Sequence, residues 1–187
     1  MTIQHFSPIA IQRHRSSVGF TLLELMTVVL IVGVLASLAA PGFSSLIANN
    51  RIVSTRDAFG NALKMARSEA VFRKESTIVC ATKDLISCAG SGIWQEGWLV
   101  FADLDNSGDY NANSDRMIDT FSGSTSLILG DGDAVGSVTF TANGTRATAD
   151  PLRVQFCDSA TDSTLKSKSV SVSAVGMVSY SEALNCD

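Results

Sequence analysis

Histidine is almost absent from this chain of 187 residues. The two that it has, His5 and His14, both precede a long apolar segment, so a chain trimmed at that segment has none. This scarcity excludes a Ser-His-Asp triad, a Cys-His dyad and a His-ligated zinc site from the trimmed chain. Charged residues are also few, at 17%, against 45% apolar residues. That composition excludes a disordered chain and a polybasic nucleic-acid binder.

The few charges are unevenly distributed. Between Arg51 and Lys74, six basic residues stand beside two acidic ones, a local net charge of +4. From Glu75 onward, six basic residues stand against fifteen acidic ones, a net charge of −9. An acidic region does not attract DNA phosphates through its overall field. We therefore do not expect nucleic acid to be a partner.

The longest apolar run covers residues 20–40 and contains a single charge, Glu24. As a helix, its 21 residues reach about 31 Å, enough to cross the ~30 Å hydrocarbon core of a bilayer. Arg13 and Arg15 precede the run, and such positive charge is retained in the cytoplasm. The pattern predicts a single membrane pass with the rest of the chain on the far side.

A carboxylate inside such a run requires a partner, because it costs about 2.5–3.5 kcal/mol on insertion scales. No Lys or Arg lies within helical reach of Glu24. Cleavage after Gly19 would create an amine on Phe20, four residues before Glu24. We expect the amine of a neighbouring subunit to pair with Glu24 during assembly.

Residues 19–25, GFTLLEL, closely resemble the type III signal of type IV pilins and type II secretion pseudopilins. The resemblance implies that a prepilin peptidase removes residues 1–19 and that the new N-terminal Phe20 is N-methylated. It also implies that Glu24 acts in docking and assembly. Pro41 stands where this family usually carries proline.

The remaining pattern predicts an α+β fold. One long helix is expected from about Phe20 to Phe72, with residues 20–40 in the membrane or filament core and residues 41–74 packed on the head, which we define as residues 75–187. Pro41-Gly42 should bend or locally melt this helix. A buried stripe is expected at Ile52, Phe59, Leu63, Ala66 and Ala70. In the head, Gly, Asn and Asp clusters separate eight candidate strands of one antiparallel sheet: Thr77–Ala81, Gly97–Ala102, Met117–Phe121, Ser126–Leu129, Ser137–Thr141, Leu152–Cys157, Ser169–Ala174 and Met177–Tyr180.

Three stretches resemble the GspH/FimT group of minor pilins and pseudopilins: ALxxARSEA at 62–70, GWLVF at 97–101 and LRVxFC at 152–157. The resemblance implies a pilin-like protein near a filament tip that is not an enzyme and has no cofactor. Its partners would be other pilins or pseudopilins, the prepilin peptidase and the inner-membrane assembly platform. The chain would sit in the inner membrane with its head in the periplasm, and then in a pilus or pseudopilus.

A head outside the cytoplasm is expected to form disulfides. Four cysteines allow three connectivities, of which we expect Cys80–Cys88 and Cys157–Cys186. The first pair brackets a short turn. The second joins a late strand to the C-terminal end.

An Asp-rich stretch resembles a calcium-binding loop, with Asp103, Asp105, Ser107 and Asp109 as candidate ligands. Ser114 stands where a bidentate carboxylate belongs, and Asp115 comes one residue late. A plain hairpin connection is therefore the favoured interpretation, with no metal.

Several functional alternatives stay open at this point. The chain could be the pseudopilin H of a type II secretion system, which shares fold and chemistry with the pilus subunit. A DNA-binding competence pilin would carry Gly-Arg-x-Arg where this chain has residues 176–179, GMVS. A membrane-anchored enzyme is the third alternative, and it is disfavoured because this chain has no nucleophile motif.

Arg67 and Glu69 could contact a neighbouring subunit, although close packing through Ser68 and Ala70 explains that stretch more simply. Of Trp94 and Trp98, one is expected in the core and the other near the surface.

Overall fold

The structure is a computed structural model that describes residues 19–90, 92–123, 127–131, 135–149, 152–158 and 167–182, with backbone only for 38–44, 127–131 and 158. The predicted leader, apart from Gly19, and the predicted disulfide residue Cys186 lie outside the described residues. The chain divides into two compact units, Met1–Pro41 and Gly42–Asp187.

Within the described residues, a single helix precedes the strands, as predicted. Helix α1 spans Leu22–Arg73. It includes Pro41 and Gly42, so the local melting predicted at this pair is not observed. Proline removes one backbone donor, and the helix continues past that loss.

Eight strands follow within the described residues, and each overlaps one of the eight predicted strands. Their bounds are β1 Ser76–Ala81, β2 Gly97–Asp103, β3 Arg116–Ser122, β4 Leu127–Asp131, β5 Ser137–Phe140, β6 Leu152–Asp158, β7 Lys168–Val172 and β8 Val178–Glu182. The α+β class is therefore confirmed.

The strands form two antiparallel sheets rather than the single sheet predicted. The first has the order β3-β2-β1-β5, and the second has the order β4-β6-β7-β8. The chain changes sheets after β5: Arg146 bridges back to Phe140, while its amide donates to the carbonyl of Ala174 beyond β7. This turn lets β5 close the first sheet and directs the chain into the second.

The core lies where α1 meets both sheets. The predicted stripe is buried, with Ile52, Phe59, Leu63, Ala66 and Ala70 each at most 1% exposed. Phe59 packs edge-on against Trp94 and Trp98, at centroid distances of 5.0 and 5.2 Å, and against Phe156 of the second sheet at 5.8 Å. The prediction that one tryptophan lies near the surface is wrong, because Phe59 draws both indoles into the core.

A smaller core covers the outer face of the first sheet. It contains Ile78 and Cys80 of β1 and Leu99 and Phe101 of β2. The loop after β1 and the Asp-rich loop after β2 cover these residues through Leu85, Cys88 and Tyr110, with the Tyr110 ring 5.3 Å from that of Phe101. Both loops therefore contribute to the folding of the head.

Candidate functional site

The predicted processing and assembly residues lie at the start of α1. Gly19 and Phe20 precede the helix, and the Phe20 side chain is 80% exposed. Thr21 caps the helix, because its hydroxyl oxygen accepts a hydrogen bond from the Glu24 amide at 3.2 Å. Thr21 and Glu24 thus have the spacing of a capping box, and the carboxylate lies in the first turn, where the helix dipole favours negative charge.

The helix surface that follows this cap is apolar on every side. Residues 21–37 are all exposed, and Glu24 is the one charge among them. The described residues offer Glu24 no salt-bridge partner. The large exposed apolar side chains of this stretch are Leu22, Leu23, Leu25, Met26, Val28, Val29, Leu30, Ile31, Val32, Val34 and Leu35. The side chain of Pro41, the third predicted assembly residue, is not among those described.

No helix in the described part of the chain meets both the length and the apolarity needed to cross a membrane.

The Asp-rich loop brings together a set of carboxylates that differs from the predicted one. Oxygens of Asp103, Asp105 and Asp115 lie within 4.8 Å of one another, and the Asp109 carboxylate is not in this group. Ser107 adjoins the group as a donor, because its amide donates to Asp103 Oδ1 at 3.1 Å and to Asp105 Oδ1 at 2.9 Å. A linear ligand spacing places Asp115 one residue late, but the hairpin folds this residue back onto Leu104. The Leu104 amide donates to Asp115 Oδ1 at 3.0 Å.

All six oxygens of these three carboxylates accept hydrogen bonds from within the loop. The Ser114 hydroxyl, followed by the Ser107 donors, lowers the pKa of Asp105 to about 2. Burial raises the pKa of Asp103. These internal hydrogen bonds stabilise the conformation of the loop, which therefore fits the interpretation as a hairpin connection.

The loop after β1 is closed by the predicted disulfide between Cys80 and Cys88. Asp84 organises its interior, with the amides of Ile86 and Ser87 donating to Oδ1 at 3.0 and 2.9 Å. The Ile86 amide and the Ser87 hydroxyl are the main causes that lower the pKa of Asp84 to about 2. Cys157 is also disulfide-bonded, and its predicted partner Cys186 lies outside the described residues.

Arg67 ties the C-terminal half of α1 to two distant turns. Its Nε donates to the Gly144 carbonyl at 2.9 Å, and its Nη2 donates to the Val175 carbonyl at 3.2 Å. Gly144 and Gly176 both have a φ of 76°. A Cβ on Gly144 would lie 2.6 Å from Val71 Cγ2, and one on Gly176 would lie 2.9 Å from Arg67 Nε. Arg67, within the motif at 62–70, therefore links the helix to two turns of the head, a role that the sequence did not predict.

The other residues of that motif have separate roles. Glu69 pairs with Arg73 one turn later at 2.7 Å. Ala70 is fully buried, as the packing interpretation requires, but Ser68 is exposed and does not contribute to that packing.

Beside Arg67 lies an open groove of about 590 Å³, between the last turns of α1 and the β7–β8 turn. Its apolar lining comes from Val71, Phe72, Met177 and Val178, and its charged lining comes from Lys64 and Arg67. Sequence reasoning missed this groove, since its two walls are about a hundred residues apart in the chain.

Comparison with known proteins agrees with this arrangement. Residues 55–176 match the family described as Type II transport protein GspH. The minor pilin FimU of Pseudomonas aeruginosa, a type IV minor pilin solved in two crystal forms, is 25% identical, with TM-scores of 0.58 and 0.55. The first match covers 74% of this chain and 96% of FimU, and the second covers 72% and 98%.

A curated relative is the Type IV major fimbrial protein FimA of Dichelobacter nodosus, 35% identical over 75 residues, which are 38% of this chain. The chain spans about half the length of that relative, 48%. The family match covers well over half of the present chain. The chain therefore belongs to the GspH family, and its α+β head has the fold of a type IV minor pilin.

Proposed function

We propose that this chain is a minor pilin that is cleaved after Gly19, N-methylated on Phe20 and built into a type IV pilus, where it aids filament formation near the tip. Its role is structural, without catalysis or a cofactor. The observation that carries the proposal is Glu24, a lone carboxylate in the first turn of an exposed apolar helix. An amine on Phe20 of a neighbouring subunit would neutralise it.

Residues 20–40 would hold the chain in the inner membrane before assembly and form the filament core afterwards, with Pro41 at their end. Residues 41–74 would then carry the head, residues 75–187, in the periplasm. The partners in this proposal are other pilins, the prepilin peptidase and the inner-membrane assembly platform. The likeness to FimU supports it.

Mass spectrometry of purified filaments tests the processing step. The N-terminal peptide should begin at Phe20 and carry one methyl group on its nitrogen. Gly19→Arg should leave the full precursor in the membrane fraction. Ser17→Arg, which adds the same charge two residues earlier, is the matched control and should be processed normally. Assembled chains that still begin at residue 1 would refute the proposal.

The second candidate is the minor pseudopilin H of a type II secretion system, which the description of the matched family favours. Deleting the gene separates the two, because a pilus subunit is needed for surface pili and a pseudopilin for export of folded proteins. Loss of secretion with normal piliation would select the second candidate.

A further inference from the structure

The groove between the end of α1 and the β7–β8 turn carries apolar surface that the fold leaves uncovered. Phe72 is 80% exposed and Met177 is 62% exposed, and both line the groove. Val175, in the same turn, is 60% exposed. Phe72 and Met177 come from the two walls of the groove, so one docked apolar side chain would cover both.

The charges of the groove have one sign. Lys64 and Arg67 line it, and no carboxylate is among the described residues that do. Arg67 donates to two neutral carbonyls, and the Lys64 ammonium lies over the Tyr180 ring, 4.6 Å from its centroid. Neither cation has a salt bridge to a described residue, so the groove keeps both positive charges beside its apolar floor.

We infer that this groove seats a segment of a neighbouring filament subunit that presents an apolar side chain beside an Asp or Glu. The apolar side chain would cover Phe72 and Met177, while the carboxylate would face Lys64 and Arg67. This inference rests on the proposed function, because it takes the neighbour to be a different pilin of the same filament.

Two other occupants fit the groove less well. Nucleic-acid binding depends on several Lys or Arg side chains that neutralise phosphates, and here two cations border a surface of Phe, Met and Val. A symmetric pair of copies joined through this groove would place Lys64 and Arg67 of one copy against the same residues of the other. A segment of another subunit with an apolar and an acidic side chain complements both the positive charge of Lys64 and Arg67 and the apolar lining of the groove.

Site-specific photocrosslinking in cells that make the filament tests the inference. The full-length chain carries p-benzoyl-phenylalanine at position 72, and the adduct is mapped by mass spectrometry. We expect an adduct with another pilin, at a segment that has an apolar residue within two positions of Asp or Glu. The probe at position 86 is the matched control, since Ile86 is an apolar side chain of similar exposure, 71%, outside the groove. It should not yield that adduct.

Variants in the position-72 background test the chemistry. Lys64→Glu should lower the adduct yield by roughly threefold or more, because an exposed ion pair is replaced by like charges. Lys64→Arg should retain the yield, and Met177→Ser should lower it. Thermal melting of each purified chain establishes that the head is still folded.

The inference is overturned if no adduct forms, if Lys64→Glu leaves the yield unchanged, or if the adduct is with lipid, nucleic acid, a second copy or a segment without a carboxylate. The same samples separate this failure from failure of the proposed function. If the chain begins at Phe20 and enters filaments but forms no adduct at position 72, only the inference about the groove is refuted. A chain that is neither cleaved nor incorporated refutes the proposed function.

Discussion

The Tyr180 ring of β8 lies directly on the helix backbone at Gly60. A Cβ atom on Gly60 would lie 2.7 Å from Tyr180 Cε1 and 2.8 Å from Cζ, closer than real contacts allow. The ring also contacts two cations of α1, with Arg56 Cζ 5.3 Å and Lys64 Nζ 4.6 Å from its centroid. Glycine at position 60 therefore lets the edge strand of the second sheet dock on the helix.

Replacing Gly60 by alanine should destabilise the head by about 1–2 kcal/mol, because the ring must move away from its cations and its packing surface. In an ordinary helix interior the same change stabilises by roughly 0.5–1 kcal/mol. Urea unfolding measures the difference. Gly60→Ala in a Tyr180→Ser background is the control and should be neutral or stabilising. A single Gly60→Ala variant more stable than the unmodified chain would show that Tyr180 does not pack there.

Arg67→Gln should destabilise the head by about 1.5–3 kcal/mol for each charge-assisted hydrogen bond lost. Water that hydrogen-bonds to the freed carbonyls reduces this loss. Arg67→Lys should rescue little of this loss, since one ammonium cannot reproduce the planar fork that reaches both Gly144 and Val175. Hydrogen exchange should accelerate in the two turns that these carbonyls belong to.

Arg73→Gln is the matched control for Arg67. Its exposed pair with Glu69 joins residues one turn apart, and such pairs contribute about 0.3–0.5 kcal/mol. Equal effects of the two substitutions would mean that Arg67 is also only a surface cation.

The local elements could be predicted from the sequence, and the reason is physical. The spacing of Ile52, Phe59, Leu63, Ala66 and Ala70 follows the helical period and reflects burial on one face. Turn residues fix where each strand ends, so every predicted strand overlaps an observed one.

The non-local relationships could not be predicted in this way. The pairing of β1 with β5 instead of β4 decides that there are two sheets, and no local pattern encodes it. Arg67 meets carbonyls 77 and 108 residues away. Asp115 joins Asp103 only because a hairpin folds it back. These contacts depend on the assembled fold, which one sequence read locally does not contain.

Asp84 should make the stability of the head sensitive to acid. Its pKa is lowered from 3.8 to about 2 by hydrogen bonds from Ile86 and Ser87. A carboxylate with a lowered pKa in the folded state contributes stability that is present above the unfolded pKa and is lost as the pH falls towards the folded one. Stability should therefore decline between about pH 4 and pH 2.

Asp84→Asn should lower stability at neutral pH and flatten part of that decline, as measured by thermal melting across the range. The matched control is Asp109→Asn, because the exposed Asp109 carboxylate accepts no hydrogen bond from a described residue. The contribution assigned to Asp84 is wrong if both substitutions leave the same slope.

Glu24→Val should leave membrane insertion intact or improved, because a carboxylate in the membrane costs about 2.5–3.5 kcal/mol. Incorporation into filaments should fall, since the proposed pairing with the Phe20 amine of a neighbour is lost. Glu24→Gln should lower incorporation to a similar extent, because glutamine keeps the size of the side chain and removes its charge. Quantitative blotting of filament and membrane fractions measures both effects. Leu25→Val is the control and should assemble normally, and a Glu24→Val chain that assembles equally well would rule out the amine pairing.

The two predicted disulfides should contribute unequally to stability. In the chain-entropy estimate, the short loop closed by Cys80 and Cys88 contributes about 2.5 kcal/mol, and the longer loop from Cys157 to Cys186 contributes about 3.5 kcal/mol. Cys186→Ser should therefore destabilise the head more than Cys88→Ser, and it should expose the C-terminal strands to protease. Non-reducing peptide mapping tests the pairing itself, because the structure joins Cys80 to Cys88 and has Cys157 disulfide-bonded as well. A fragment that links Cys80 to Cys157, or Cys88 to Cys186, would contradict the first disulfide and the position of the loop that covers the outer face of the first sheet.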